Sequence, residues 1–172
     1  AQVTVSAAGI DSQIIYVTQD GINTPLNITA GGLKTSLTAD ELATITKLTL
    51  TGTIDARDFK TMRDDMPLLA EIDLSGTTIM TYTGTEGTAW GAMNTVYQAN
   101  EIPEEALCSD TSISKINLTS FIFPSAVTSI GGNAFNSLYN LTSIIFPLSI
   151  TRIGSGAFSG CLSLMVSLPP SV

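Results

Sequence analysis

The chain has 172 residues, 44% hydrophobic and 13% charged, which fits one ordered domain and argues against a disordered segment. Its formal net charge is −8 with seven Lys and Arg, so nucleic acid and acidic membrane are poor partners, since both need a concentrated basic surface. There is no histidine, which removes the commonest general base and metal ligand, and no apolar run reaches membrane-spanning length.

Residues 1–30 alternate weakly around Val3, Val5 and Ile14 to Val17, with turn signals at Asp20-Gly21 and Asn23-Thr24-Pro25. This predicts a short strand pair that caps the units downstream of it. Thr38-Ala39-Asp40-Glu41 starts a helix, with Thr38 as N-cap and Glu41 completing a capping box. Leu37, Leu42, Ile45 and Leu48 form its apolar face. Lys47 to Thr51 then alternates as a strand with Leu48 and Leu50 inward. The unit recurs. Residues 58–67 are helical in pattern, with Asp58 as the expected N-cap and Phe59 and Met62 inward, and Ala70 to Leu74 is the next strand. Residues 76–100 break the rhythm with a Thr- and Gly-rich stretch that holds Tyr82, Tyr97 and the only tryptophan, Trp90.

From residue 118 one template repeats. Leu118 maps to Leu141, Pro124 to Pro147, Val127 to Ile150, Ile130 to Ile153, Gly131 to Gly154, Ala134 to Ala157 and Phe135 to Phe158, each pair 23 apart. A fixed period in this range marks a solenoid, in which each supersecondary unit is stable only against its neighbours. Leu141, Ile144 and Phe146 are expected inward on a strand that Pro147 ends, because proline cannot donate to a ladder. Ile150 and Ile153 line the return path, Gly154 and Gly156 allow the bend, and Ala157-Phe158 begins a helical turn that drops the phenyl ring into the core. Upstream, Ile102, Ala106 and Leu107 align with Ile130, Ala134 and Phe135 at an offset of 28, as do Ile113 and Ile116 with Leu141 and Ile144. On that alignment the strand is Ile113–Leu118 and five extra residues fall near Thr119–Pro124. After Leu164 the chain runs half a repeat short of the template.

The pattern L-x-x-I-x-x-P-x-x-[VI]-x-x-I-G-x-x-A-F resembles the BspA-like leucine-rich repeat of bacterial surface proteins. The resemblance covers residues 101–172 closely and 40–75 loosely, through stretches such as Asp55 to Phe59 and Leu68 to Ser75. It implies an α/β solenoid of horseshoe form, with a parallel sheet on the concave face, short helices or turns on the convex face and an N-terminal β cap. The expected organisation is a cap at 1–30 and about five repeats over 31–172, interrupted at 76–100, the last incomplete. The family is associated with adhesion and protein binding at the cell surface rather than catalysis.

Alternate strand residues point away from the core, which on this fold makes Lys47, Thr49, Glu71, Asp73, Lys115, Asn117, Ser143 and Ile145 a candidate binding strip; the plain alternative is a solvated sheet face. Tyr82, Trp90 and Tyr97 are a second candidate, because exposed loop aromatics are favoured contacts; the alternative is that the loop folds back on the solenoid. Asp55, Asp58, Asp64 and Asp65 lack calcium-loop spacing, so no metal or cofactor is expected. Without histidine there is no Ser-His-Asp set. Glu71 with Asp73, or Glu104 with Glu105, could form a carboxylate pair, yet such neighbours usually just face solvent.

Cys108 and Cys161 are expected as free thiols, Cys161 buried. The start at Ala1-Gln2 fits a secreted product whose leader has been removed, or a trimmed chain. The favoured reading is a non-catalytic secreted or surface repeat protein that binds a protein or glycan on another cell. A spacer within a larger surface protein, able to associate end to end, and a β-helix enzyme acting on polysaccharides are the alternatives.

Overall fold

The computed structural model describes residues 2–5, 13–16, 24–91, 94–108 and 117–165. In chain order the elements are β1 (Gln2–Val5), β2 (Gln13–Tyr16), β3 (Leu26–Ile28), α1 (Leu33–Ser36), α2 (Ala39–Thr44), β4 (Lys47–Ile54), α3 (Ala56–Asp64), β5 (Glu71–Ile79), β6 (Tyr82–Gly84), β7 (Thr95–Tyr97), β8 (Glu101–Ile102), β9 (Ser120–Ile122), β10 (Ser129–Ile130), β11 (Ser143–Ile145) and β12 (Arg152–Ile153).

A five-stranded parallel sheet runs β11-β9-β5-β4-β3, and a second parallel ladder runs β12-β10-β8. Successive turns of chain therefore lay strand on strand in the same direction, the arrangement of a repeat solenoid. The core lies along the inward positions: Leu48, Leu50, Ile72, Leu74 and Phe121 of the larger sheet, and Ile102 and Ile130 of the smaller, are all buried. β1 and β2 pair antiparallel, with Gln2 opposite Tyr16. Leu26–Ile28, expected from the sequence to belong with that strand pair, is instead the edge of the parallel sheet, with Leu26 opposite Leu50 and Ile28 buried.

The helices are fixed by their caps. The Glu41 N–H donates to Thr38 Oγ1 at 3.2 Å, and the Thr38 N–H donates to Glu41 Oε2 at 2.8 Å, which holds the Glu41 carboxyl below its ordinary range. Asp58 is not the N-cap of α3. That place is taken by Asp55, whose Oδ1 accepts from the Arg57 N–H at 2.9 Å, and Asp58 completes the box by accepting from the Asp55 N–H at 2.9 Å. The same Asp58 carboxylate reaches back one unit. It accepts from the Gly31 N–H at 2.7 Å and the Leu33 N–H at 2.9 Å, so it also caps α1, whose own N-cap Gly32 has no side chain to do so.

The alignment that placed a strand at Ile113–Leu118 is overturned. Ile113 and Ile116 lie outside the described residues, and the strand between β5 and β11 is Ser120–Ile122, with Phe121 opposite both Ile72 and Ile144. The uniform spacing of 23 from Leu118 to Leu141 therefore holds. The spacing of 28 survives for Ile102 opposite Ile130 and for Ala106 and Leu107, since the Leu107 N–H donates to Ala134 O at 2.9 Å as the Phe135 N–H does to Ala157 O at 2.8 Å, so the five additional residues fall before Leu118 rather than near Thr119–Pro124. Neighbouring turns are stitched at matching positions. The Thr119 and Thr142 backbone N–H groups donate to Ala70 O at 2.8 Å and Thr119 O at 3.0 Å, and both threonine hydroxyls donate to the same carbonyls at 3.1 and 3.2 Å.

The second ladder explains the Ile-Gly pair of the template. Ile130 and Ile153 sit on two-residue strands too short to show periodicity in sequence. Gly154 follows where the backbones of adjacent turns meet: a Cβ there would lie 2.5 Å from Gly132 N. Close approach, rather than an unusual φ, is what requires this glycine. Residues 155–160 form turns, not the expected helical turn. Phe135 is fully buried between turns, stacked on Phe158 at 5.1 Å and edge-on to Phe121 at 4.9 Å. Phe158 itself is only half-buried, as are Ile144 and Phe146, because cover on their far side is thinner in the last described turn. For the same reason Cys161, expected buried, is only half-buried; Cys108 is buried, and neither thiol is in a disulfide.

Candidate functional site

Two surfaces gather the residues singled out in the sequence. The first is the outward face of the five-stranded sheet. Register puts Lys47, Glu71, Ser120 and Ser143 in one row across β4, β5, β9 and β11, and Thr49, Asp73, Ile122 and Ile145 in the next. The first row neutralises itself, since Lys47 Nζ pairs with Glu71 Oε2 at 2.6 Å; both side chains are well exposed, so the pair adds under about 1 kcal/mol. The second row is graded. Asp73, whose Oδ1 accepts from the Ser75 N–H at 2.9 Å, stands beside Ile122 and Ile145, which are 38% and 72% exposed.

Ser120 and Ile122 were missed in sequence and replace Lys115 and Asn117 in these rows. Lys115 lies outside the described residues. Asn117 precedes β9, where its Nδ2 donates to Pro67 O at 3.2 Å. The signal for Ser120 and Ile122 was the 23-residue match of Leu118 to Leu141, which sets them opposite Ser143 and Ile145.

The second surface is the 76–100 stretch. It opens as sheet: Gly76 to Ile79 continue β5 alongside Thr51 to Ile54 after a bulge, and the chain leaves only at Met80. β6 and β7 then pair antiparallel, with Tyr82 opposite Tyr97 and their rings stacked at 5.9 Å. The Tyr97 hydroxyl accepts from the Ala89 N–H at 2.8 Å, and its ring is only 7% exposed. Tyr97 is thus packed against the solenoid and Tyr82 half-buried, while Trp90 keeps an exposed face at 37%, and two arginines of α3 anchor the stretch. Arg57 Cζ lies 4.6 Å from the Tyr82 ring centroid, its guanidinium bound to Asp55, which holds it strongly protonated. Arg63 Cζ lies 4.5 Å from the Trp90 ring.

Arg63 had no distinguishing mark in sequence, yet it is almost fully buried. Its Nη1 donates to Thr88 O at 2.8 Å and Glu105 O at 2.9 Å, and its Nε donates to Asp64 Oδ1 at 2.7 Å. Thr88 Oγ1 donates to Glu104 O at 2.6 Å, closing the junction between the inserted stretch and the turn after β8. Burial there, with the adjacent Glu104 carboxylate, pushes the Glu105 carboxyl above its ordinary range; Arg63 and hydrogen bonds from Trp90 oppose the shift. Arg63→Met is expected to lower stability by about 2–4 kcal/mol, by orphaning two carbonyls. Trp90 is the only tryptophan, so its emission should shift to the red as the indole is released; unchanged emission and melting would show that Arg63 is not the anchor.

Among the described residues, no group of three or more His, Cys, Asp or Glu could hold a metal, and no helix is long and apolar enough to cross a membrane.

Stacked parallel turns of 23 residues, each giving leucine, isoleucine and phenylalanine to a shared core, define a leucine-rich-repeat solenoid. Residues 99–172 match the family model described as "BspA type Leucine rich repeat region (6 copies)". Among solved structures, the chain is similar to a leucine rich cell surface protein from Faecalibacterium prausnitzii A2-165, with 18% identity and a TM-score of 0.42, over 95% of this chain and 36% of that one. The chain thus spans about a third of that protein's length. No curated protein matches it.

Proposed function

We propose that this chain is a non-catalytic interaction module of an extracellular or cell-surface protein, and that it binds a protein partner through the outward face of its five-stranded sheet. One observation carries the reading: Ile122 and Ile145 sit side by side on adjacent strands, exposed, in the row that also holds Asp73 and Thr49. An apolar pair rimmed by polar groups is the composition of an interface centre, where covering what remains exposed contributes about 1–2 kcal/mol for Ile145 and about half that for Ile122. The match to the BspA-type repeat model supports the reading, because such repeats supply a scaffold whose exposed strand positions are free to vary. Adhesion to another cell is the use we assign to it.

The test is capture of candidate surface proteins and glycans by the immobilised chain, compared with Ile145→Asp and Asp73→Lys. Ile145 is exposed, and Asp73 is half-buried with one hydrogen bond from the Ser75 N–H, so both variants are expected to fold. Loss of a captured partner by about tenfold or more with Ile145→Asp supports the sheet face. Capture that survives both variants places binding elsewhere.

A further inference from the structure

One concavity opens at the rim of the second surface. It lies between β7 and the turn after β8, and its lining includes Val96, Tyr97, Gln98, Glu101, Pro103 and Glu104. Its apolar wall is Val96, 60% exposed on β7, with buried Pro103 and the ring of Tyr97, which Ala89 fixes through its hydroxyl. Its polar wall is the pair of carboxylates of Glu101 and Glu104. Among the described residues neither joins an ion pair. Arg63, at the junction behind the groove, is already committed to Asp64, Thr88 O and Glu105 O. The chain on either side of the groove is acidic: residues 64–114 hold nine Asp and Glu and no Lys or Arg.

An apolar trough that ends in two carboxylates without an ion pair among the described residues complements a side chain with an aliphatic stem and a cationic head. We propose that this groove docks a basic side chain of a partner protein, arginine in preference to lysine. Arginine's planar fork can bond both carboxylates while its stem covers Val96 and Pro103. The proposal extends the interaction-module reading to a second contact and does not depend on the sheet face.

The test is an NMR titration of the 15N-labelled chain with an acetylated, amidated Gly-Arg-Gly peptide and with its uncharged citrulline counterpart. Saturable shifts are expected at Val96, Tyr97, Gln98, Glu101 and Glu104 with the arginine peptide alone. The affinity should fall roughly tenfold in E101Q/E104Q, as expected for two lost exposed charge contacts. If that double variant melts early, Val96→Arg keeps both carboxylates, places a competing cation at the groove mouth and should cause the same loss. No shifts, equal shifts with citrulline, or shifts spread evenly over the acidic surface and indifferent to both variants would overturn the proposal. Asp73→Lys on the sheet face should leave the titration unchanged; loss there would put the peptide on the sheet and refute the groove. Failure of the groove alone leaves the Ile145→Asp capture result, and the sheet-face reading, standing.

Discussion

Phe135→Ala is expected to destabilise the protein by about 3–5 kcal/mol, because its ring is fully buried and the surroundings cannot collapse around the loss. The ring touches three others: Phe121 and Phe123 of its own turn, edge-on at 4.9 and 5.8 Å, and Phe158 of the next turn, stacked at 5.1 Å. Removing it opens a void inside its own turn and against the next one, so the damage extends to the neighbouring unit. For a chain of this size the melting temperature should drop by roughly 6–20 °C. Phe158→Ala, at the half-buried equivalent position 23 residues on, should lower stability by only about 1–3 kcal/mol. Equal effects at the two positions would mean that burial does not fall off along the solenoid as the structure shows.

Asp58→Ala is expected to be of similar size, about 3–5 kcal/mol, for a different reason: it leaves the N–H groups of Gly31, Leu33 and Asp55 without acceptors, two of the three bonds being buried. Asp58→Asn keeps the shape but turns an amide N–H toward one of those donors, and should lower stability by about 1–3 kcal/mol. The pair of variants also separates a pH effect. Burial pushes the Asp58 carboxyl above the ordinary aspartate range, against the pull of the hydrogen bonds from Leu33, Gly31 and Asp55, and the Asp55 carboxylate adds to the rise. A carboxyl whose folded value exceeds its unfolded value, about 3.9, favours folding while protonated. That contribution is complete below the unfolded value and is lost as pH rises through the folded one. The stability advantage of the native protein over Asp58→Asn should therefore shrink as pH climbs through this window in chemical denaturation series. An advantage that grows with pH would give the shift the opposite sign.

What could be read in the sequence was what short-range pattern and fixed spacing encode. Thr38 and Glu41 announced a helix because the capping box is local, and Leu48 and Leu50 announced a strand because the period is two. Leu118 and Leu141 announced stacking because turns of equal length must place equivalent residues over each other. Where two local patterns competed, the stronger alternation misled: Ile113 and Ile116 look like a strand, but the register of the sheet is set by the turn that begins at Leu118. This displaced the candidate strip by a few residues and hid Ser120 and Ile122. Asp58 could be recognised as a helix-start residue, but not as the cap of a helix 25 residues upstream, since nothing local marks a carboxylate that serves two units. Arg63 was hidden more deeply. On α3 alone it is an ordinary surface cation, and only the return of Thr88, Trp90 and Glu105 over it makes it buried. The same return explains why Tyr82 and Tyr97, loop aromatics by sequence, became supports of a hairpin rather than free contact residues.

The fold and its sheet face stand on one register, in which β9 lies between β5 and β11, with Ser120 facing Glu71 on one side and Ser143 on the other. Cross-strand NOEs in the labelled protein read this directly. The register predicts contacts linking residues 120–122 to 71–73 and to 143–145, with slow amide exchange at Thr119 and Thr142, which donate to Ala70 and Thr119 carbonyls. Contacts that instead link residues 113–117 to 71–73 and 143–145 would contradict it, and with it the row that sets Ile122 beside Ile145.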